Sequence, residues 1–271
     1  MAVLSSVRLN LGLRRTPLWQ AFETTPLYDL LEDIEIARRE RQRVEWERKN
    51  LTISEASVEE LFPGLLADGI RIVDWPRVQR NMGQDELMLL CQLTRYLKPQ
   101  VVLEIGTFDG RTTKNIACNL PEGGVVVTVD IDPAAGSRFR GTFHESRIRQ
   151  VTGDSRLVDF EQSIRVELGR QYVDLAIIDG LHAQDAVESD TANCLRLINP
   201  ERGVILWHDY EYYEYKYGDQ VARCDVPLFL NWLSSNHRLF HIKGTSFVVY
   251  FANGGTIPVA MCDGRHMIGT R

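Results

Sequence analysis

Five apolar segments of this 271-residue chain run into acids, and the spacing of those acids suggests two kinds of chemistry. "VVLEIG" carries Glu104 into the loop "TFDG", so that Gly106, Thr107, Asp109 and Gly110 follow it closely. "VTVDID" reaches Asp130, and "RQVTGDS" reaches Gly153 and Asp154. Gly106 and Gly110 allow a tight turn and a close backbone approach to a ligand. The loop is neither GxGxxG nor GxxxxGKS, and it holds no lysine, so it does not read as a phosphate loop. Glu104 and Asp109 would repel a pyrophosphate and favour a cationic head, unless both only cap the turn and the helix after it. "AIIDGLH" and "GVILWHD" bring Asp179 and Asp209. On neighbouring strands these two acids would lie about 5 Å apart. They would repel unless a proton or a cation sat between them, and a divalent ion with oxygen ligands at about 2.0–2.6 Å would fill the gap. For either acid alone, capping of a turn or helix is the alternative.

The elements that must position these residues follow from periodicity. "DELMLLCQLTRYL" (85–97) repeats as a helix and stops before Pro99. Strands are expected over 101–106, 124–132, 147–154, 173–180 and 203–209, with helices over 111–120 and 186–198. Near-continuous apolar strands separated by helices imply a parallel sheet covered on both faces. "PLFLNWLSS" reads as a further helix, and "LFHIKG" and "SFVVYFA" as an antiparallel pair at the sheet edge. In open sheets of this kind ligands sit at the carboxyl ends of the strands, which is where the acids fall. Residues 1–82 are expected to form a helical extension, a lid or oligomer contact. There "YDLLEDIEIARRERQRVEWERKN" places Leu30, Leu31 and Ile34 near one face and then becomes almost wholly charged. Residues 83–252 form the main domain and 253–271 a tail.

Bulk composition excludes several classes. The net charge of −6 argues against nucleic acid or an anionic membrane as the main partner. No apolar run approaches the roughly 18 residues of a membrane helix. Cys91, Cys118, Cys194, Cys224 and Cys262 form no CxxC pair, so reduced thiols and a cytoplasmic location are expected. Arg8, Arg14 and Arg15, with no acid before Glu23, give the N-terminus a faint likeness to an organelle transit segment. It is read here as part of the folded protein or a loose end.

An acid at the end of the second strand suits ribose hydroxyls, which makes Asp130 the candidate, while Gly153 and Asp154 could border an adenine. A ribose, an adenine and a cationic head together describe S-adenosylmethionine (SAM). The run Glu104-Ile105-Gly106-Thr107-Phe108-Asp109-Gly110, followed by Asp130 and Gly153-Asp154, resembles a class I SAM-dependent methyltransferase over roughly residues 83–252. The loop is similar to the small-molecule O-methyltransferase version, with Phe108 where the broader family has a glycine. The resemblance implies an α/β, Rossmann-like, doubly wound seven-stranded sheet, mostly parallel with an antiparallel edge strand. It implies a SAM site built from Glu104, Gly106, Thr107, Gly110, Asp130, Gly153, Asp154 and Asp179. The helix from Arg111 would offer backbone N–H groups to the methionine carboxylate.

"IIDGLH" followed by "GVILWHDY" is similar to the metal-dependent macrocin- and mycinamicin-type sugar O-methyltransferases and to cephalosporin-hydroxylase-like proteins. That likeness implies a divalent ion, magnesium first, on Asp179 and Asp209, with His182 as general base. Where some relatives carry a second acid, this chain has His208. A third ligand, a supporting group and a core histidine are all open for it, and strand alternation would turn His208 and Asp209 to opposite faces. A coordinating imidazole would widen the metal choice to manganese, iron or zinc. The implied reaction is methyl transfer to a hydroxyl of a small molecule, such as a sugar, a polyol or a catechol-like part of a natural product. The metal would lower the hydroxyl's pKa and His182 would take its proton. Tyr210, Tyr212, Tyr213, Tyr215 and Tyr217 follow Asp209 and could offer aromatic faces to that acceptor, or form a lid or interface patch. The rival readings are a metal-independent methyltransferase or hydroxylase-like relative, an NAD-dependent oxidoreductase, and a non-catalytic binding protein. Self-association through the charged extension is expected.

Overall fold

A computed structural model describes residues 26–65, 69–157, 160–169, 172–217 and 220–254. The arginine-bearing N-terminus, Cys262, His266 and all but two residues of the expected tail lie outside them. The chain divides into two compact units, Met1–Thr52 and Ile53–Arg271.

In the first unit, α1 (Pro26–Asn50) is a single long helix. Its spacing of unlike charges gives ion pairs one turn apart. Glu35 accepts from Arg38 at 2.9 Å and Arg39 at 3.0 Å, and Glu40 from Arg43 at 2.7 Å. Leu30, Ile34 and Val44 are exposed on it.

The second unit is built on one eight-stranded sheet. In chain order its strands are β1 (Glu55–Ala56), β2 (Val101–Ile105), β3 (Val125–Asp130), β4 (Ile148–Thr152), β5 (Leu175–Ile178) and β6 (Val204–Trp207). β7 (Glu214–Tyr217) and β8 (Gln220–Arg223) form a separate hairpin, and β9 (Leu239–Ile242) and β10 (Val248–Phe251) return to the main sheet. The spatial order is β1-β9-β10-β6-β5-β2-β3-β4. β2 to β6 pair in parallel, while β10 runs antiparallel to both β6 and β9. The expected sheet is therefore present with two refinements. β1 adds an eighth strand, parallel to β9, and the antiparallel strand is enclosed rather than outermost.

The helices are α2 (Val58–Leu61), α3 (Gln84–Leu97), α4 (Arg111–Asn119), α5 (Phe160–Leu168), α6 (Gln184–Leu197) and α7 (Val226–Leu233). They cover a sheet whose central strands β2, β5 and β6 are buried along their whole length. One core layer joins Leu90 of α3 and Ile116 of α4 to Val102, Val126, Leu175, Leu206 and Val249 of the sheet. At about 25 cal/mol per Å² of apolar surface, burial on this scale dominates the energy of the unit.

The boundary expected at residue 82 lies instead between Thr52 and Ile53. Residues 53–82 belong to the α/β unit because three devices build them into it. β1 joins the sheet, and Phe62 and Leu65 are fully buried. The stretch 71–75 is held by side chains of α4. Asn119 accepts from the Arg71 N–H at 2.9 Å and donates to its carbonyl at 2.7 Å. Asn115 accepts from the Val73 N–H at 2.9 Å and donates to the Asp74 carbonyl at 2.9 Å. The fully buried Arg111 donates to the carbonyls of Met82 and Trp75 at 3.1 and 3.0 Å. Among the described residues no helix is long and apolar enough to cross a membrane.

Candidate active site

The carboxyl ends of β2, β3, β5 and β6 lie side by side, so the acids read from sequence meet along one crevice. Gly106 turns the chain out of β2 at φ 103°, and its N–H reaches the Val129 carbonyl at 2.9 Å. A Cβ there would stand 2.0 Å from the Asp179 carbonyl oxygen, so only glycine allows these two strand ends to touch. Asp130 fastens the loop that follows. One carboxylate oxygen accepts from the N–H groups of Thr107 and Phe108 at 3.1 and 2.8 Å, and the other from Asp132 at 2.9 Å. Phe108 holds φ 48° and is exposed, with the Arg80 guanidinium 5.2 Å from its ring centre. At Gly110, φ 83°, an added Cβ would strike the Phe139 ring at 2.6 Å.

The loop's acids are less exposed electrostatically than the sequence suggests. Asp109 accepts from Arg138 at 2.7 Å and caps α4 through the Arg111 N–H at 3.1 Å. Glu104 is fully buried and accepts from the hydroxyls of Thr113 and Thr128. Burial, aided by Asp179 and Asp130 and opposed by those hydroxyls, lifts its pKa to about 8. Neither acid is therefore the open negative charge that would select a cationic head, and the Arg111 N–H expected for a carboxylate is already paired. Gly153 bonds the Asp130 carbonyl at 2.9 Å, and Asp154 pairs with Arg156 at 2.8 Å.

The other half of the crevice carries the second constellation. Donor atoms of Asp179, His182 and Asp209 all lie within 4.8 Å of one another. Asp209 adopts φ 65°, a left-handed conformation that aspartate tolerates better than most residues. This turn comes after β6 has ended at Trp207, so alternation no longer applies. His208 and Asp209 do not face opposite ways: their side chains meet at 3.2 Å. His208 Nδ1 is also 3.2 Å from Asp179, and its Nε2 is 3.0 Å from Glu86. Burial would lower the His208 pKa, but Asp179 and Asp209 hold it well above the ordinary value. Burial lifts Asp179. Burial works in the same direction on Asp209, but the imidazoles of His208 and His182 outweigh it and hold that carboxyl below its ordinary value.

His182 Nε2 lies 2.9 Å from Asp209, and its Nδ1 meets the Tyr213 hydroxyl. The ring thus stands between an acid and a phenol. Burial would depress the His182 pKa, but the Asp209 contact raises it. The tyrosine run divides by role. Tyr210 is buried, donates to Asn231 at 2.6 Å and accepts from the Ile53 N–H at 3.1 Å, so it is structural. Tyr213 faces His182, and Tyr215 lies in the β7–β8 hairpin. Trp207 is a core residue, donating to Thr191 at 2.8 Å.

Three contributors escaped the sequence reading. Glu86 looks like an ordinary acid in the first turn of a helix, yet Ser246 donates to it twice, at 2.7 and 2.8 Å, besides its contact with His208. These contacts outweigh burial and bring its pKa to about 2. Ser246 and the specific role of Tyr213 carry no motif. The two carboxylates, Asp179 and Asp209, with the His182 imidazole beside them, fit a hard divalent cation.

Residues 103–210 match a family described as a methyltransferase domain, Methyltransf_24. The chain is 26% identical over 141 residues to catechol O-methyltransferase domain-containing protein 1 of Mus musculus, covering 51% of this chain and 53% of that protein. It is 29% identical over 115 residues to catechol O-methyltransferase B of Danio rerio, covering 41% and 42%. It thus spans about half the length of the curated relatives it matches. Cofactor-bound Rv0187 from MTB shares the fold, with a TM-score of 0.50, 17% identity, and coverage of 65% of this chain and 83% of that one. Strand order, the glycine loop and the match over residues 103–210 agree with one another: this part of the chain is similar to a methyltransferase domain.

Proposed function

We propose that the protein transfers a methyl group from SAM to a hydroxyl of a small acceptor bearing two neighbouring oxygens, with the help of a divalent ion. The observation that carries this reading is the grouping of Asp179, His182 and Asp209 within 4.8 Å, next to the glycine turn of the cofactor loop. When bound, SAM supplies an electrophilic methyl, and the ion, magnesium first, supplies the charge that lowers a hydroxyl's pKa.

The chain's own residues do the rest. Gly106, Thr107 and Gly110 shape the cofactor loop, Asp130 keeps it closed over its own N–H groups, and Gly153-Asp154 borders the adenine end. Asp179 and Asp209 hold the ion. His182 receives the acceptor's proton at Nδ1, with the Tyr213 hydroxyl as relay, while Asp209 steadies the imidazolium at Nε2. The names of the curated relatives favour a catechol-like or other vicinal diol acceptor. A sugar diol presents the same pair of oxygens.

The test is radiolabelled methyl transfer from SAM to a panel of catechols, sugars and polyols, with and without EDTA. Activity that EDTA abolishes and added Mg2+ or Mn2+ restores is expected. Turnover unchanged by EDTA would remove the metal from the mechanism. SAM binding without transfer to any hydroxylated acceptor would overturn the acceptor class.

A further inference from the structure

We infer that Glu86 and His208 form a brace that fixes the spacing of Asp179 and Asp209, making His208 a positioning residue rather than a metal ligand. The inference rests on the metal reading above and goes beyond it.

His208 Nδ1 is shared between Asp179 Oδ1 and Asp209 Oδ1, at 3.2 Å from each, and Nε2 faces Glu86 Oε2 at 3.0 Å. Both ring nitrogens thus stand against carboxylate oxygens, and a cation on His208 would have to displace one of these contacts. The ring is held in place by packing: it is buried, and Phe247, fully buried, lies 5.2 Å away between centroids.

The contacts then close into a circuit. Glu86 Oε1 accepts from the N–H and hydroxyl of Ser246 at 2.7 and 2.8 Å. The Asp209 N–H reaches the Ser246 hydroxyl at 3.3 Å, and the Tyr210 N–H reaches the Ser246 carbonyl at 2.9 Å. Asp209 is thereby held at both ends, its backbone through Ser246 and its side chain through His208, with Glu86 joining the two. That hold also explains how a left-handed aspartate persists at the end of β6. The brace links α3, the turn before β10 and the loop after β6 in one hydrogen-bonded ring. Partners of this kind behind a metal ligand typically govern affinity by 10- to 100-fold.

The experiment measures Mn2+ binding to the full chain by calorimetry, for wild type, Glu86→Gln, His208→Asn and the double variant, with S-adenosylhomocysteine (SAH) affinity and thermal unfolding as controls. Each single substitution should weaken Mn2+ binding by about 10-fold or more. The double variant should lose no more than the weaker single, because both break one circuit. SAH affinity should stay within about twofold. Ser246→Ala, which cuts the circuit without touching a charged group, should give a smaller loss in the same direction and covers the case of a charge variant that fails to fold. Loss of binding in His208→Asn with none in Glu86→Gln would make His208 a ligand and overturn the brace. Wild-type binding that no substitution weakens, or losses that simply add, would overturn it too. Wild-type protein that takes up no Mn2+ would overturn the metal reading and the brace together, a result distinct from the others.

Discussion

His182 lies between the Asp209 carboxylate and the Tyr213 hydroxyl, and the proposed mechanism takes the acceptor's proton on the Tyr213 side. Replacing His182 with Ala is expected to lower kcat by about 10²- to 10⁴-fold, the usual contribution of a positioned base. Tyr213→Phe should cost less, about 10-fold, with KM for SAM unchanged. Steady-state kinetics at saturating SAM would check both, and a Tyr213→Phe enzyme with full kcat would remove the relay. Asp179, His182 and Asp209 are legible in the sequence because each interrupts or follows an apolar run that would otherwise stay apolar. Glu86 is not, because it lies 122 residues from His208 and only the fold joins them. Nor could the sequence tell that Asp109 would find Arg138, which left the loop's charge overestimated.

At the scale of elements, the strands of the sheet were readable because burial on both faces demands unbroken apolar runs. The β7–β8 hairpin has a weaker trace, tyrosines alternating with charges ahead of Gly218-Asp219, which suits an exposed loop as well as a strand pair. The stretch 71–75 escaped for a different reason. Its backbone is satisfied by two asparagine side chains one helical turn apart rather than by a ladder, and such amide pairing leaves no periodic trace in the segment it holds. Asn115→Ala would strip partners from the Val73 N–H and the Asp74 carbonyl. A loss of about 1–3 kcal/mol is expected, seen as a Tm lower by several degrees and as faster proteolysis near residues 71–75. An unchanged Tm would mean that β1 and Arg111 hold this segment unaided.

For the molecule as a whole, the class of fold followed from alternating strands and helices, while the boundary at residue 82 did not survive because the charged stretch and the start of the core overlap in composition. One acid ties the global stability to pH. Glu104 has a folded pKa near 8 against an ordinary 4.5, so the folded state keeps a proton that the unfolded state loses. Its contribution to stability is therefore fullest below about pH 4.5 and falls as pH rises toward 8. Glu104→Gln, which cannot ionise, is expected to gain on wild type across that window. Thermal unfolding from pH 5 to 9 should show the Tm difference between variant and wild type moving in favour of the variant by several degrees. A constant difference would mean that Glu104 is already ionised in the fold.

The missing methyl of Gly106 has a thermodynamic consequence. Since the backbone there rests against the Asp179 carbonyl, the proposed cofactor and cation would address two sides of a single contact. Their affinities are then expected to be linked, and linkage is reciprocal: whatever factor SAH brings to Mn2+ binding, Mn2+ must return to SAH binding. Titrating each ligand in the presence and absence of the other should give two equal factors of about fivefold or more. Factors of one would show that the two turns touch without communicating. Factors above one would mean that the order in which cofactor and cation arrive is written into a single glycine.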